Sequence, residues 1–153
     1  MARGFVNHLD LNVSDPAASI PFYARVLEYL GYTRHWVDPP GGRADLDACE
    51  RSDRCAWWLR DATGFYFGIE VRPPAEPSPR ATHERYSPGI DHLALHADDR
   101  ADVDRLYDIL ISAGIVVADP PAEYDYEPGY YAVAFDDPDG IRLEVVHDPV
   151  ANP

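Results

Sequence analysis

The feature that most constrains this chain is that it repeats itself, because two copies of one segment must each form the same supersecondary unit. His8-Leu9-Asp10-Leu11-Asn12-Val13-Ser14-Asp15 aligns with His92-Leu93-Ala94-Leu95-His96-Ala97-Asp98-Asp99 at an offset of 92 − 8 = 84. Leu9, Leu11 and Asp15 fall on Leu93, Leu95 and Asp99, and the same offset carries Ala17 onto Ala101 and Tyr23 onto Tyr107. That makes six identities in the sixteen positions 8–23. The register then slips by one, and Gly31 meets Gly114. A length of 153 residues allows one domain or two small modules sharing a core.

Both copies carry the same order of local signals. Each opens with alternating side chains, over Phe5–Val13 and Ile90–Ala97, so a strand is expected with its leucines on one face and its histidine on the other. A helix-start signal follows, Ser14-Asp15-Pro16 or Asp98-Asp99. Ile20, Tyr23, Val26, Leu27 and Leu30 then recur at helical spacing, as do Val103, Leu106, Tyr107, Leu110 and Ile111. Gly31 and Gly114 end the two helices. Three more strands are predicted in each half: Tyr32–Val37, Cys55–Arg60 and Phe65–Arg72, then Ile115–Ala118, Tyr130–Phe135 and Ile141–His147. Asp61-Ala62-Thr63-Gly64 and Asp136-Asp137-Pro138-Asp139-Gly140 read as turns, and Pro39–Arg54 as a loop. The pattern is βαβββ twice, an α+β chain. Its modules span residues 1–72 and 89–148, with a proline-rich linker over 73–88 and a tail over 149–153.

Composition narrows the partners. Thirteen basic against 27 acidic residues give 13 − 27 = −14, which disfavours nucleic acid and anionic membranes, since both need a positive surface. No apolar run approaches the ~20 residues of a membrane span, and residues 1–10 do not resemble a signal peptide. Cys49 and Cys55 match no zinc-knuckle spacing and are too few for a disulfide framework. A cytoplasmic protein with reduced thiols is the expectation.

The last strands pair as the first do. Gly68-Ile69-Glu70-Val71 and Arg142-Leu143-Glu144-Val145 each set a glutamate between apolar residues. Such a glutamate calls for a partner or a metal, and each module offers one alongside its first-strand histidine. By alternation Asn12, Tyr66, His96 and Arg142 share the histidine face, whereas His147 points the other way. Of Trp57 and Trp58, one ring points into each face of the sheet. Tyr124-Asp125-Tyr126-Glu127-Pro128-Gly129-Tyr130-Tyr131 is expected as a lid or specificity loop.

With His8-Leu9-Asp10-Leu11-Asn12-Val13, the Phe22–Leu27 helix and Asp137-Pro138-Asp139-Gly140-Ile141-Arg142-Leu143-Glu144, the chain resembles the vicinal oxygen chelate superfamily from Phe5 to His147. That group includes glyoxalase I, methylmalonyl-CoA epimerase, fosfomycin-resistance proteins, extradiol dioxygenases and bleomycin-binding proteins. The resemblance implies curved sheets around a cup with a divalent metal (Zn, Ni, Fe, Mn or Co) held by His8, Glu70, His92 and Glu144. Two neutral imidazoles and two carboxylates would leave a dication with no net charge. The resemblance further implies lyase or isomerase chemistry on a small substrate with neighbouring oxygens, with Glu144 or Glu70 as base. Asn12, His96, Tyr66 and Arg142 would line the pocket. Extradiol cleavage, or sequestration of an aromatic drug without chemistry, are the alternatives. Bacterial-type glyoxalase I carries a glutathione-holding arginine where this chain has Asn12, which argues against glutathione. A homodimer is expected, since family members of this size often pair modules across subunits.

Overall fold

The computed structural model, which describes residues 6–35, 53–60, 64, 66–76 and 83–150, starts each helix at the aspartate that the repeat aligns. The first strand, β1, spans His8–Asn12, and α1 follows over Pro16–Tyr29. The Asp15 carboxylate accepts from the Ala17 amide at 2.9 Å. In the second copy β5 is His92–His96 and α2 is Arg100–Ser112, and the Asp99 carboxylate accepts from the Asp102 amide at 2.8 Å. Each side chain satisfies an amide that the first helical turn leaves without a partner.

The helix ends match as closely. Gly31, at φ +86°, donates to the Glu28 carbonyl, and Tyr32 donates back to Leu27. Gly114, at φ +72°, donates to Ile111, and Ile115 to Leu110. Both are Schellman closures, which need a left-handed residue just past the helix. The one-residue slip also finds its place here: α1 has 14 residues and α2 has 13, so the second glycine arrives one position early.

Strands β2 (Thr33–His35), β3 (Cys55–Arg60) and β4 (Tyr66–Arg72) complete the first copy; β6 (Val117–Glu123), β7 (Tyr131–Asp136) and β8 (Arg142–His147) complete the second. The sheet orders are β1-β4-β3-β2 and β5-β8-β7-β6. In each, the first strand runs parallel to the last and the remaining pairs are antiparallel. These are two four-stranded mixed sheets with one helix each, an α+β chain as expected, and they form no closed barrel among the described residues. The chain divides into two compact units, Met1–Ala81 and Thr82–Pro153. No described helix is long and apolar enough to cross a membrane.

In the first unit Ile20, Phe22, Tyr23, Val26 and Leu27 of α1 are buried, as are Leu11, Trp57, Ile69 and Val71 of the sheet. In the second, Val103, Leu106 and Leu110 are buried together with Phe135, Leu143 and Val145. Helices and sheets thus hide the leucine faces of both first strands.

One expectation needs correction. The strand predicted to end at Ala118 runs to Glu123 through Pro120 and Pro121. β6 lies at a sheet edge with register shifts, and there a proline's missing donor removes no bond that the sheet requires. The end of the expected linker is tied to the second unit. The His83 amide donates to the Asp139 carbonyl at 2.8 Å, and Arg85 pairs with Asp91 at 3.2 Å. Its earlier residues 77–82, together with Phe5, most of the Pro39–Arg54 loop, Cys49, residues 61–63 and Phe65, lie outside the described residues.

Because both closing glycines sit at positive φ, Gly31→Ala and Gly114→Ala should each cost about 1 kcal/mol. Urea denaturation checks this, and equal losses at the two positions are expected from equal geometry.

Candidate functional site

Strand register decides which side chains share a face. In the parallel β1–β4 pair His8 lies opposite Gly68, Asp10 opposite Glu70 and Asn12 opposite Arg72. In β5–β8 His92 lies opposite Arg142, Ala94 opposite Glu144 and His96 opposite Val146. Residues directly opposite point the same way. His8 and Glu70 therefore share a face, with the glutamate two positions beyond the histidine's partner. His92 and Glu144 stand in the same diagonal relation. Asn12 and Tyr66 fall on the first of these faces, His96 and Arg142 on the second, as alternation predicts. His147 pairs with Tyr131 and lies on the opposite face.

The surroundings of the paired residues show how each is held. The Nδ1 of His8 lies 3.0 Å from the Asn7 side-chain oxygen, and the Nδ1 of His92 lies 2.8 Å from an Asp91 oxygen. His92 and Arg85 together hold the Asp91 carboxyl below the usual carboxylate range. Glu70 is 3.7 Å from Arg72, which also pairs with Asp10 at 2.9 Å. One guanidinium thus balances two neighbouring carboxylates. Glu144 instead accepts a hydrogen bond from the Tyr130 hydroxyl. Burial first, and then that bond, push the Tyr130 phenol well above its ordinary range, so it stays a donor.

Aromatic rings stand beside these residues in both units. Trp58 stacks on Tyr66 with centroids 4.5 Å apart and planes 10° from parallel. The Arg60 guanidinium lies 5.1 Å over the Tyr66 ring, and the His8 ring is 6.5 Å from Trp58. Trp57 faces the other way: it is fully buried, and its indole donates to Glu28 at 3.2 Å. Of this pair, Trp58 is the one on the histidine face. In the second unit the tyrosine segment is the hairpin loop between β6 and β7, closed by the Tyr124 amide donating to the Tyr130 carbonyl. Tyr124 and Tyr126 stack at 5.7 Å, and Tyr130 meets both edge-on. The Arg142 guanidinium is shared between Asp136 at 2.5 Å and Asp119 at 2.9 Å. Its charge is already balanced.

Each unit presents one imidazole and one carboxylate on the same face of its sheet. Among the described residues no three histidine, cysteine, aspartate or glutamate side chains are grouped closely enough to hold an ion. The donor chemistry nonetheless suits a borderline dication. Each imidazole is engaged at Nδ1, which leaves Nε2 for a ligand, and such backing is typical of metal-bound histidine. Sequence reasoning missed Arg72 on the first of these faces and Asn7 and Asp91 behind the two histidines, and it left open which of Trp57 and Trp58 faces the histidines. The one available signal was that Asn7 and Asp91 precede the two repeated histidines.

With this geometry in place, the kinship is plain. Residues 5–145 match the family model described as the Glyoxalase/Bleomycin resistance protein/Dioxygenase superfamily. The Bacillus subtilis (strain 168) protein YqjT is 30% identical over 145 residues, covering 92% of this chain and 97% of its own. A candidate glyoxalase from Bacillus halodurans has a crystal structure similar at TM-score 0.67 and 26% identity, over 94% of this chain and 96% of that one. A glyoxalase/dioxygenase from Nostoc punctiforme is similar at TM-score 0.67 and 25% identity, over 97% and 96%. The chain belongs to the glyoxalase/bleomycin resistance protein/dioxygenase superfamily.

Gly68 gives this site a mechanical test. A Cβ there would overlap the six-membered ring of Trp58, so Gly68→Ala should drive the indole off its stack at a cost of about 1–3 kcal/mol. Near-UV circular dichroism and urea denaturation should show both effects. In a Trp58→Ala background the same glycine change should cost almost nothing.

Proposed function

We propose that the chain is a divalent-metal-dependent lyase or isomerase of glyoxalase type, acting on a small substrate with two neighbouring oxygens. The observation that carries the reading is the repeated diagonal of histidine and glutamate, His8 with Glu70 and His92 with Glu144. Members of the superfamily usually bind a divalent metal, and these four residues are the ones that would hold it, as Zn, Ni, Fe, Mn or Co. The ion supplies Lewis-acid stabilisation of negative charge developing on the substrate's oxygens.

The remaining work falls to the chain's own side chains. Glu70 or Glu144 takes the proton from the carbon beside the carbonyl and returns it to the neighbouring atom. A positioned carboxylate in a partly dry site suits that task. Tyr130 occupies one oxygen of Glu144 and so fixes where the other points. Asn12, His96, Tyr66 and Trp58 line the substrate's side of the sheets, and Arg142, already balanced by two aspartates, braces the wall. Asn12 speaks against glutathione as the substrate's handle. The similarity to a lactoylglutathione lyase from Agrobacterium tumefaciens, at 18% identity, concerns the fold alone.

Reconstitution should yield about one ion per chain, and His92→Ala should abolish binding by removing a ligand outright. Glu70→Gln should keep much of the metal yet lower turnover of an α-oxo or 2-hydroxy carbonyl substrate by about 10²-fold or more. Elemental analysis and a substrate screen provide both readouts, and a chain that takes up none of the five metals overturns the reading. Oxygen uptake with catechols by the Fe(II)-loaded protein, intact in Glu70→Gln, would replace it with an extradiol dioxygenase. A second reading, sequestration of a planar aromatic compound without turnover, is favoured by the Trp58–Tyr66 stack. Quenching of tryptophan fluorescence by such a compound, lost in Trp58→Ala, together with no metal uptake, would establish it. A homodimer belongs to the same proposal, and light scattering at micromolar concentration tests it.

A further inference from the structure

The two repeated histidines are each preceded by a residue whose side chain takes the ring's Nδ1. Asn7 and Asp91 stand 91 − 7 = 84 positions apart, the same offset as His8 and His92. The duplication therefore carries pairs, each a ligand with the group behind it. The two pairs differ in charge and in support. Asn7 offers a neutral amide oxygen at 3.0 Å from His8. Asp91 offers a carboxylate oxygen at 2.8 Å from His92, and that same oxygen accepts from the Arg85 Nε at 3.3 Å and its terminal nitrogen at 3.2 Å. An ionised carboxylate can only accept, so the proton must sit on Nδ1 of His92.

Resting on the metal reading above, we infer that Asp91, held in place by Arg85, is the positioning residue of His92, and that His92 is thereby the stronger metal ligand of the two repeated histidines. A charge-assisted bond is roughly twice as strong as one between neutral groups. A carboxylate behind an imidazole also raises its basicity toward a metal, whereas an amide does so weakly. Asp91 fixes both the tautomer and the ring orientation of His92, which presents Nε2. Asn7 does the same for His8 with less force. Asp91 is half-exposed and Arg85 bridges it across the Tyr86–Ile90 turn. A merely structural role would therefore be to tie that turn, and the test must tell the two roles apart.

Long-range 15N–1H NMR of the metal-free protein, at a pH above the imidazole range, reads the tautomer directly. His92 should be the Nδ1–H form in the unaltered chain and move toward the Nε2–H form that unconstrained histidine favours in Asp91→Ala. Arg85→Ala, which unties the turn and keeps the carboxylate, should leave the tautomer in place. Zinc affinity, measured by competition with a chromophoric chelator, should fall about 10–100-fold in Asp91→Ala. It should fall less in Asn7→Ala, and Asp91→Asn should recover part of the loss while restoring the tautomer. The inference is overturned if His92 keeps its tautomer in Asp91→Ala, if zinc affinity there stays within about threefold of the unaltered chain, or if Asn7→Ala costs as much. Loss of the turn without a change of tautomer assigns Asp91 the structural role alone. His92→Ala separates the two levels. If it abolishes zinc binding while Asp91→Ala does not weaken it, only this inference fails. If it leaves zinc binding unchanged, the metal reading fails as well.

Discussion

Parallel pairing of the first strand of each unit with its last is the contact on which the rest depends. The two strands are separated in sequence by a helix and two further strands, so their meeting closes each unit and brings its histidine and glutamate within side-chain reach. The side-chain period of a strand is two, and a slip of one residue in that pairing would turn Glu70 or Glu144 toward the helix. The apolar residues on either side of each glutamate prevent it. Ile69 and Val71 are buried under α1, and Leu143 and Val145 are likewise buried in the second unit. The core thus sets the aim of the polar residues, and does so twice by the same means.

The two glutamates nevertheless stand in unlike company. Glu70 has Asp10 directly opposite it and shares Arg72 with that neighbour. Glu144 has Ala94 opposite and a phenol as donor. One carboxylate belongs to a charged trio, and the other accepts from an uncharged phenol among aromatic rings. The duplication has preserved the histidine and the glutamate of each unit while their surroundings have diverged, and the same residue types can differ in chemistry through such surroundings.

Much of this was legible in the chain. The offset of 84 placed both helices and both capping aspartates, a slip of one residue placed both closing glycines, and the alternation about Glu70 and Glu144 placed them on the histidine faces. These are features of local period, which neighbouring residues along the sequence disclose. What escaped were relations across strands: Trp58 lying over Gly68, Arg72 reaching Asp10, Tyr130 reaching Glu144. Each depends on register between segments that the sequence separates by ten or more residues. The extension of β6 through Pro120 and Pro121 escaped for a different reason. Proline argues against a central strand, and only the sheet order showed that this strand lies at an edge.

The indole resting on Gly68 also bears on how such a chain can change by descent. While Trp58 is present, no side chain can be accepted at position 68 without disturbing it. Once Trp58 has been replaced by something small, position 68 opens to substitution. From then on a return of the indole is barred until the glycine is restored. The order of mutational steps is therefore fixed at this pair: the indole must leave before the glycine, and the glycine must return before the indole.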